Sequence, residues 1–332
     1  MDKTRSLTQG SIFKVLIQFS VPFLLANLLQ ALYGAVDLFV VGRFCTADSV
    51  AAVSTGTQVT QIVNSLISGM TLAGTILVGK YAGMGEKIKV EKTMATTIVF
   101  FAAFSVILSV LMIVNISDIL TLLQIPVASF AEAWQYIFIC SLGIFFICEY
   151  NALSAVLRGC GDSVSPLLFV AIACICNVAG DFLTVGVFHM GVAGTAVSTI
   201  VSQGISMICA MIYLNHKNLT LRFSIQTLKP DARILKTLVM IGFPISFQEC
   251  MVRVSFLYLT AITNGLGVAS ACAAGIASKY DVFAMLPATS LANALTALTA
   301  QNLGAGKEER AVWIIWRYRF CFVLYERLSE WM

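Results

Sequence analysis

Val21-Pro-Phe-Leu-Leu-Ala-Asn-Leu-Leu-Gln-Ala-Leu-Tyr-Gly-Ala-Val-Asp-Leu-Phe-Val-Val-Gly-Arg43 is an apolar run with a single carboxylate, Asp37, inside it. Its length matches the roughly 20 apolar residues that a helix needs to cross a bilayer. An ionised carboxylate in hydrocarbon is costly unless it meets a cavity, a cation or a partner, which makes Asp37 a functional candidate. A second acid, Asp181, lies in a similar run further along the chain.

Composition extends that reading to the whole sequence. Hydrophobic residues make up 58% of the 332 and charged residues 11%, with mean hydropathy +0.88. A soluble domain carries about 25% charged residues, so this surface is built for lipid. The net charge of +4 is confined to particular loops and points to no nucleic-acid partner. Most of the ten cysteines fall within apolar runs, where a free thiol behaves as a small hydrophobe. Cys174 and Cys176 are two apart, without CxxC spacing. No nucleophile–base or metal-ligand spacing marks an enzyme.

Apolar runs predict spans at 12–40, 51–79, 95–114, 134–156, 165–187, 191–213, 236–263 and 269–302, with a degenerate ninth at 311–325. Pro22, Pro244 and Pro287 lie inside such runs and predict bends. Basic residues precede or open the first span (Lys3, Arg5, Lys14) and follow the second (Lys80, Lys87, Lys89, Lys92), the fourth (Arg158), the sixth (Lys217, Arg222, Lys229, Arg233, Lys236) and the eighth (Lys307, Arg310). The alternate loops hold essentially only Arg43. That alternation predicts a cytoplasmic N-terminus.

The expected fold is an all-α polytopic membrane protein. A complete six-helix bundle over 1–213 leads through a polar, basic cytoplasmic linker over 214–235 into a partial second bundle over 236–332. A parallel repeat relates the two. Pro22 matches Pro244, and Gly79-Lys-Tyr-Ala-Gly-Met-Gly-Glu-Lys87 matches Ala300-Gln-Asn-Leu-Gly-Ala-Gly-Lys-Glu308, at nearly one offset. Convergence of helix ends on glycine caps is the competing explanation.

Asn177 and Asp181 are four apart and share a helix face, as do Thr195, Thr199 and Gln203 on the next span. The short turn at Met190-Gly-Val-Ala-Gly194 makes those spans neighbours. With Asp37, these side chains form an oxygen-rich set suited to Na⁺. A proton is the alternative, since a low-dielectric setting favours a neutral carboxyl. Polar bonding between helices is the bland reading of Asn177 and Asp181. Glu249 and Arg253 are spaced to neutralise one another, which competes with a substrate role for Glu249. Gln58, Gln61 and Asn64 form a polar stripe that either lines a cavity or makes helix contacts.

Several segments resemble the multidrug and toxic compound extrusion (MATE) transporters. They are Val21-Pro-Phe through Asp37-Leu-Phe-Val-Val-Gly-Arg43, Leu157-Arg-Gly-Cys-Gly-Asp-Ser-Val-Ser-Pro166 and Asn177-Val-Ala-Gly-Asp181. Gly191-Val-Ala-Gly-Thr-Ala196, Ile241-Gly-Phe-Pro244 and Gln301-Asn-Leu-Gly-Ala-Gly306 continue the series. The resemblance implies two facing bundles in a bacterial plasma membrane, exporting lipophilic or cationic compounds in exchange for Na⁺ or H⁺. It implies a cation site at Asp37, Asn177, Asp181 and Thr199, and an acidic residue on the seventh span that matters in some members, which Glu249 matches. Gln30, Tyr33 and Gln203 are further candidate substrate or coupling residues. The lipid bilayer and small hydrophobic or cationic molecules are the expected partners, with no obligate protein partner and no cofactor beyond the coupling ion. Members of the family have twelve helices, so the chain reads as C-terminally truncated, either a working exporter or an inactive form. Rival readings are a lipid-linked saccharide flippase of the wider superfamily and a non-transporting membrane remnant.

Overall fold

A computed structural model describes residues 7–216, 229–265 and 268–316, with backbone alone at 257, 260–261, 264–265 and 268–283. Every regular element among these residues is helical: α1 (Ile12–Phe44), α2 (Ala47–Gly83), α3 (Lys87–Leu122), α4 (Val127–Leu142), α5 (Ile144–Gly159), α6 (Val164–Asp181), a π-helical turn at Phe182–Val187, α7 (Gly191–His216), α8 (Ala232–Gly265) and α9 (Val268–Gly304). Helices satisfy their own backbone hydrogen bonds, which hydrocarbon demands of any segment crossing it. Among the described residues, six helices are long and apolar enough to cross a membrane, and α4 with α5 makes a seventh if that bent pair is one span. The helices outrun the apolar stretches: α3 has 36 residues, about 54 Å at the α-helical rise.

Two expected spans depart from regular helix. The fourth breaks at Gly143, where α4 and α5 meet at 44°. A Cβ at Gly143 would collide with the Ile200 side chain of α7, so glycine lets the two helices close on each other. The fifth ends in the π turn that begins directly after Asp181. Most of the predicted linker and ninth span lie outside the described residues; 214–216, 232–235 and 311–316 are helical.

α2 is the central post. It packs against α4, α5, α8 and α9, while α1 packs on α9 and α6, and α6 on α7. One apolar cluster runs through Ile67, Leu77, Phe101, Leu153 and Leu238; a smaller one joins the start of α1 to the end of α9 through Phe19, Phe23, Leu295 and Leu298. Ser246 Oγ donates to the Leu66 carbonyl between α8 and α2, and Asn27 Nδ2 donates to Ser290 Oγ between α1 and α9. Thus α8 lies on α2 as α1 lies on α9.

The repeat predicted from the glycine motifs is visible in the backbone. At the end of α2, the N–H groups of Met84, Gly85 and Glu86 donate to the carbonyls of Lys80, Ala82 and Tyr81. At the end of α9, Ala305, Gly306 and Lys307 donate in the same order to Gln301, Leu303 and Asn302. Gly85 and Gly306 take matching left-handed conformations, φ 73° and 69°, which glycine adopts without a steric penalty. The end of α9 is also tied to the start of the chain. Leu7 N donates to Gln301 Oε1, Asn302 Nδ2 to the Leu7 carbonyl, and Lys307 Nζ to the Thr8 carbonyl. Gln301 Nε2 further donates to the Gly159 carbonyl at 2.7 Å.

Candidate functional site

Small residues bring α6 and α7 together. A Cβ on Gly180 would lie 2.9 Å from Ser198 Oγ, and one on Gly194 would lie 3.0 Å from Thr184. Helices in lipid associate through this kind of close approach. Thr184 Oγ1, within the π turn, donates back to the Gly180 carbonyl at 2.9 Å and lies 3.1 Å from Ser198 Oγ. The last α-helical residues before the turn, Asn177 and Asp181, are thereby pressed against α7 and away from solvent. π turns recur where a side chain must be re-aimed for function.

Asp37, Asn177 and Asp181 are buried, at 5%, 1% and 0% exposure, and Thr199 is half-buried. The Asp37 carboxyl from α1 faces the Asp181, Asn177 and Thr199 side chains. Asn177 Nδ2 donates to Thr199 Oγ1 at 3.4 Å, and that hydroxyl donates its own proton to the Thr195 carbonyl at 3.0 Å. The Asn177 amide is therefore held with its oxygen free. Asp37 Oδ1, Asn177 Oδ1, both Asp181 oxygens and Thr195 Oγ1 are sealed from solvent, with no well-formed hydrogen bond to any described residue.

Buried oxygens that lack donors, drawn from two carboxyls, an amide and hydroxyls, are a set that a hard cation or a shared proton satisfies. Two facing carboxylates in a dry interior cannot both stay ionised without a positive species between them.

The other candidates divide. Tyr33 lies one turn before Asp37, and its hydroxyl accepts from Gln203 Nε2 of α7 at 3.4 Å, tying two of them to the edge of the cluster. Gln30 is exposed on α1. Glu249 is exposed on α8, a helix that packs on α2, α3 and α9 rather than on α6 or α7. The expected Glu249–Arg253 pair does not form: Arg253 Nε donates to Ser65 Oγ of α2 at 3.3 Å, and the one ion pair among the described residues is Lys89–Glu86. A hydroxyl within reach on a facing helix outcompetes a neighbour on the same exposed surface. Gln58, Gln61 and Asn64 are exposed along α2, and Asn64 borders a small cavity at the α4–α5 break.

Two features escaped sequence reasoning. Ser198 stands beside Asp181, four residues before Ser202 on the same face, and small serines carry little signal in an apolar run. Glu149 is buried on α5; an acid inside a predicted span was the available signal.

The MatE family profile matches residues 22–183 and 244–318. "Probable multidrug resistance protein YpnP" of Bacillus subtilis is 31% identical over 319 residues, covering 93% of this chain and 69% of that protein. "Probable multidrug resistance protein YoeA" of the same organism is 28% identical, covering 94% of this chain and 69% of its own length. Among solved structures, MATE in the straight conformation superposes with a TM-score of 0.89 at 19% identity, covering 99% of this chain and 74% of that one. MATE in the bent conformation gives 0.88 at 20% identity, covering 98% and 74%. With the membrane-spanning fold, the repeat and the profile in agreement, the chain belongs to the MatE family.

Proposed function

We propose that this protein is a cation-coupled exporter of lipophilic or cationic compounds, with Asp37, Asp181, Asn177 and Thr199 binding the coupling ion. The observation that carries this reading is the burial of two facing carboxyls whose oxygens lack donors. The names of the Bacillus relatives, both multidrug resistance proteins, agree with it.

A Na⁺ ion between the carboxyls, or a proton shared by them, lowers the repulsion between α1 and α6. Its departure restores that repulsion and favours a different packing of α1, which Pro22 weakens by removing one backbone hydrogen bond. Alternation between the two packings, biased by ion binding, couples the ion gradient to substrate movement. A saccharide flippase calls for an Arg-lined interior, whereas Asp37 and Asp181 make this one acidic. The alternation of basic loops supports a cytoplasmic N-terminus in a bacterial cell.

The test is dye efflux from proteoliposomes under an imposed Na⁺ or pH gradient. The wild-type chain responds to one of them, and Asp181→Asn abolishes the response while still inserting into the membrane. Wild-type vesicles that ignore both gradients would overturn the proposal.

A further inference from the structure

Glu149 lies on the second half of the broken fourth span, outside the cluster just described. It is 6% exposed, and its Oε1 is sealed from solvent without a hydrogen-bond partner. The donors nearest to it in sequence are committed elsewhere. Tyr150 donates its hydroxyl to the Pro166 carbonyl at 3.1 Å, and Asn151 donates its amide to the Ile147 carbonyl at 2.8 Å. α5 packs on α2, α3, α4, α6, α7 and α9, and among the described residues none of these helices gives Glu149 a hydrogen bond or an ion pair. The titratable side chains beside it in the chain are the Cys148 thiol and the Tyr150 phenol, and neither carries a charge at neutral pH.

An ionised carboxylate there would have neither donor nor counter-ion, and a group so placed takes up a proton rather than bear that cost. Glu149 keeps 6% of its surface exposed, enough for that proton to exchange as the packing around α5 fluctuates. α5 also packs on α7, which carries Thr199 and Gln203, and on α2, the post that meets α8 and α9. A rearrangement of those contacts during transport would change the burial of Glu149.

We propose that Glu149 is a second, exchangeable proton site in this bundle, separate from the Asp37–Asp181 pair. Its coupling role rests on the transport reading above; its proton does not.

Infrared difference spectra of the protein in lipid, taken across acidic to alkaline pH, test the site. The wild type should show the carbonyl stretch of a neutral carboxyl near neutral pH, lost reversibly in base. The component of that signal contributed by Glu149 should be missing from Glu149→Gln and displaced in Glu149→Asp, while any component from the Asp37–Asp181 pair persists in both. Spectra of wild type and Glu149→Gln that coincide at every pH, or a Glu149 component that base never removes, overturn the proposal. In proteoliposomes, efflux driven by a pH gradient should fall several-fold in Glu149→Gln, and an unchanged flux would make Glu149 a fixed structural acid, against the coupling role. If the wild type moves nothing, the transport reading falls, while the infrared titration still decides the proton site.

Discussion

Gly83 at the end of α2 abuts the Gln301 carbonyl of α9, and Gly304 at the end of α9 abuts the Lys80 carbonyl of α2. Each residue is the repeat counterpart of the other, so one contact is made twice across an internal two-fold. Neither position has room for a Cβ. Gly304→Val should destabilise the protein by about 1–3 kcal/mol through overpacking against backbone. The gain in helix propensity over glycine, about 1 kcal/mol at most, does not offset a clash with an atom that cannot rotate away. Thermal unfolding of the purified variant in detergent measures the loss, and an unchanged midpoint would contradict the contact.

Thr199→Val removes the hydroxyl that holds the Asn177 amide. Leaving that buried donor unpartnered costs about 1–3 kcal/mol, and the amide oxygen loses its orientation. Na⁺ or proton binding, measured calorimetrically or by pH titration, should weaken by about tenfold for each 1.4 kcal/mol of that cost directed at the site. Thr199→Ser, which keeps the hydroxyl, should recover most of the affinity.

Tyr33→Phe breaks the hydrogen bond to Gln203 that links α1 with α7. A partly buried hydrogen bond between neutral groups contributes about 0.5–1.5 kcal/mol. The variant should therefore fold and insert normally, with transport reduced but not abolished. A loss as complete as that of Asp181→Asn would place Tyr33 among the ion ligands themselves.

Asp231 caps α8, its Oδ1 accepting from the Arg233 and Ile234 N–H groups at 2.8 and 3.3 Å. Those backbone bonds hold its carboxyl below the usual 3.8. A depressed value in the folded state means stabilisation that is present at neutral pH and lost as pH falls through that lowered value. Asp231→Ala should accelerate hydrogen exchange in the first turn of α8 at pH 7. The difference from wild type should vanish in strong acid.

The membrane-spanning class, most of the spans and the parallel repeat could be read from the chain, because apolar length and glycine-rich helix ends are local properties. The joining of Asp37 to Asn177 and Asp181 was legible as a possibility, because four-residue spacing places Asn177 with Asp181 and a short turn makes their span a neighbour of the next. The break at Gly143 was not legible. Gly143 there leaves room for the Ile200 side chain on another helix, and glycine in an apolar run carries no sign of which neighbour it will meet. The π turn after Asp181 was hidden for the same reason, since it is stabilised by Thr184 against Gly180 and Ser198. At Arg253, spacing along one helix suggested Glu249, and a hydroxyl on another helix won.

The tie between Leu7 and Gln301 joins residues 294 apart in sequence. At synthesis rates of roughly 5–20 residues per second, Leu7 waits about 15–60 s for the carbonyl and amide groups that will hold it. Throughout that interval Leu7 lacks both of the partners that hold it in the folded protein. A nascent chain released before Gln301 therefore leaves Leu7 without this anchor.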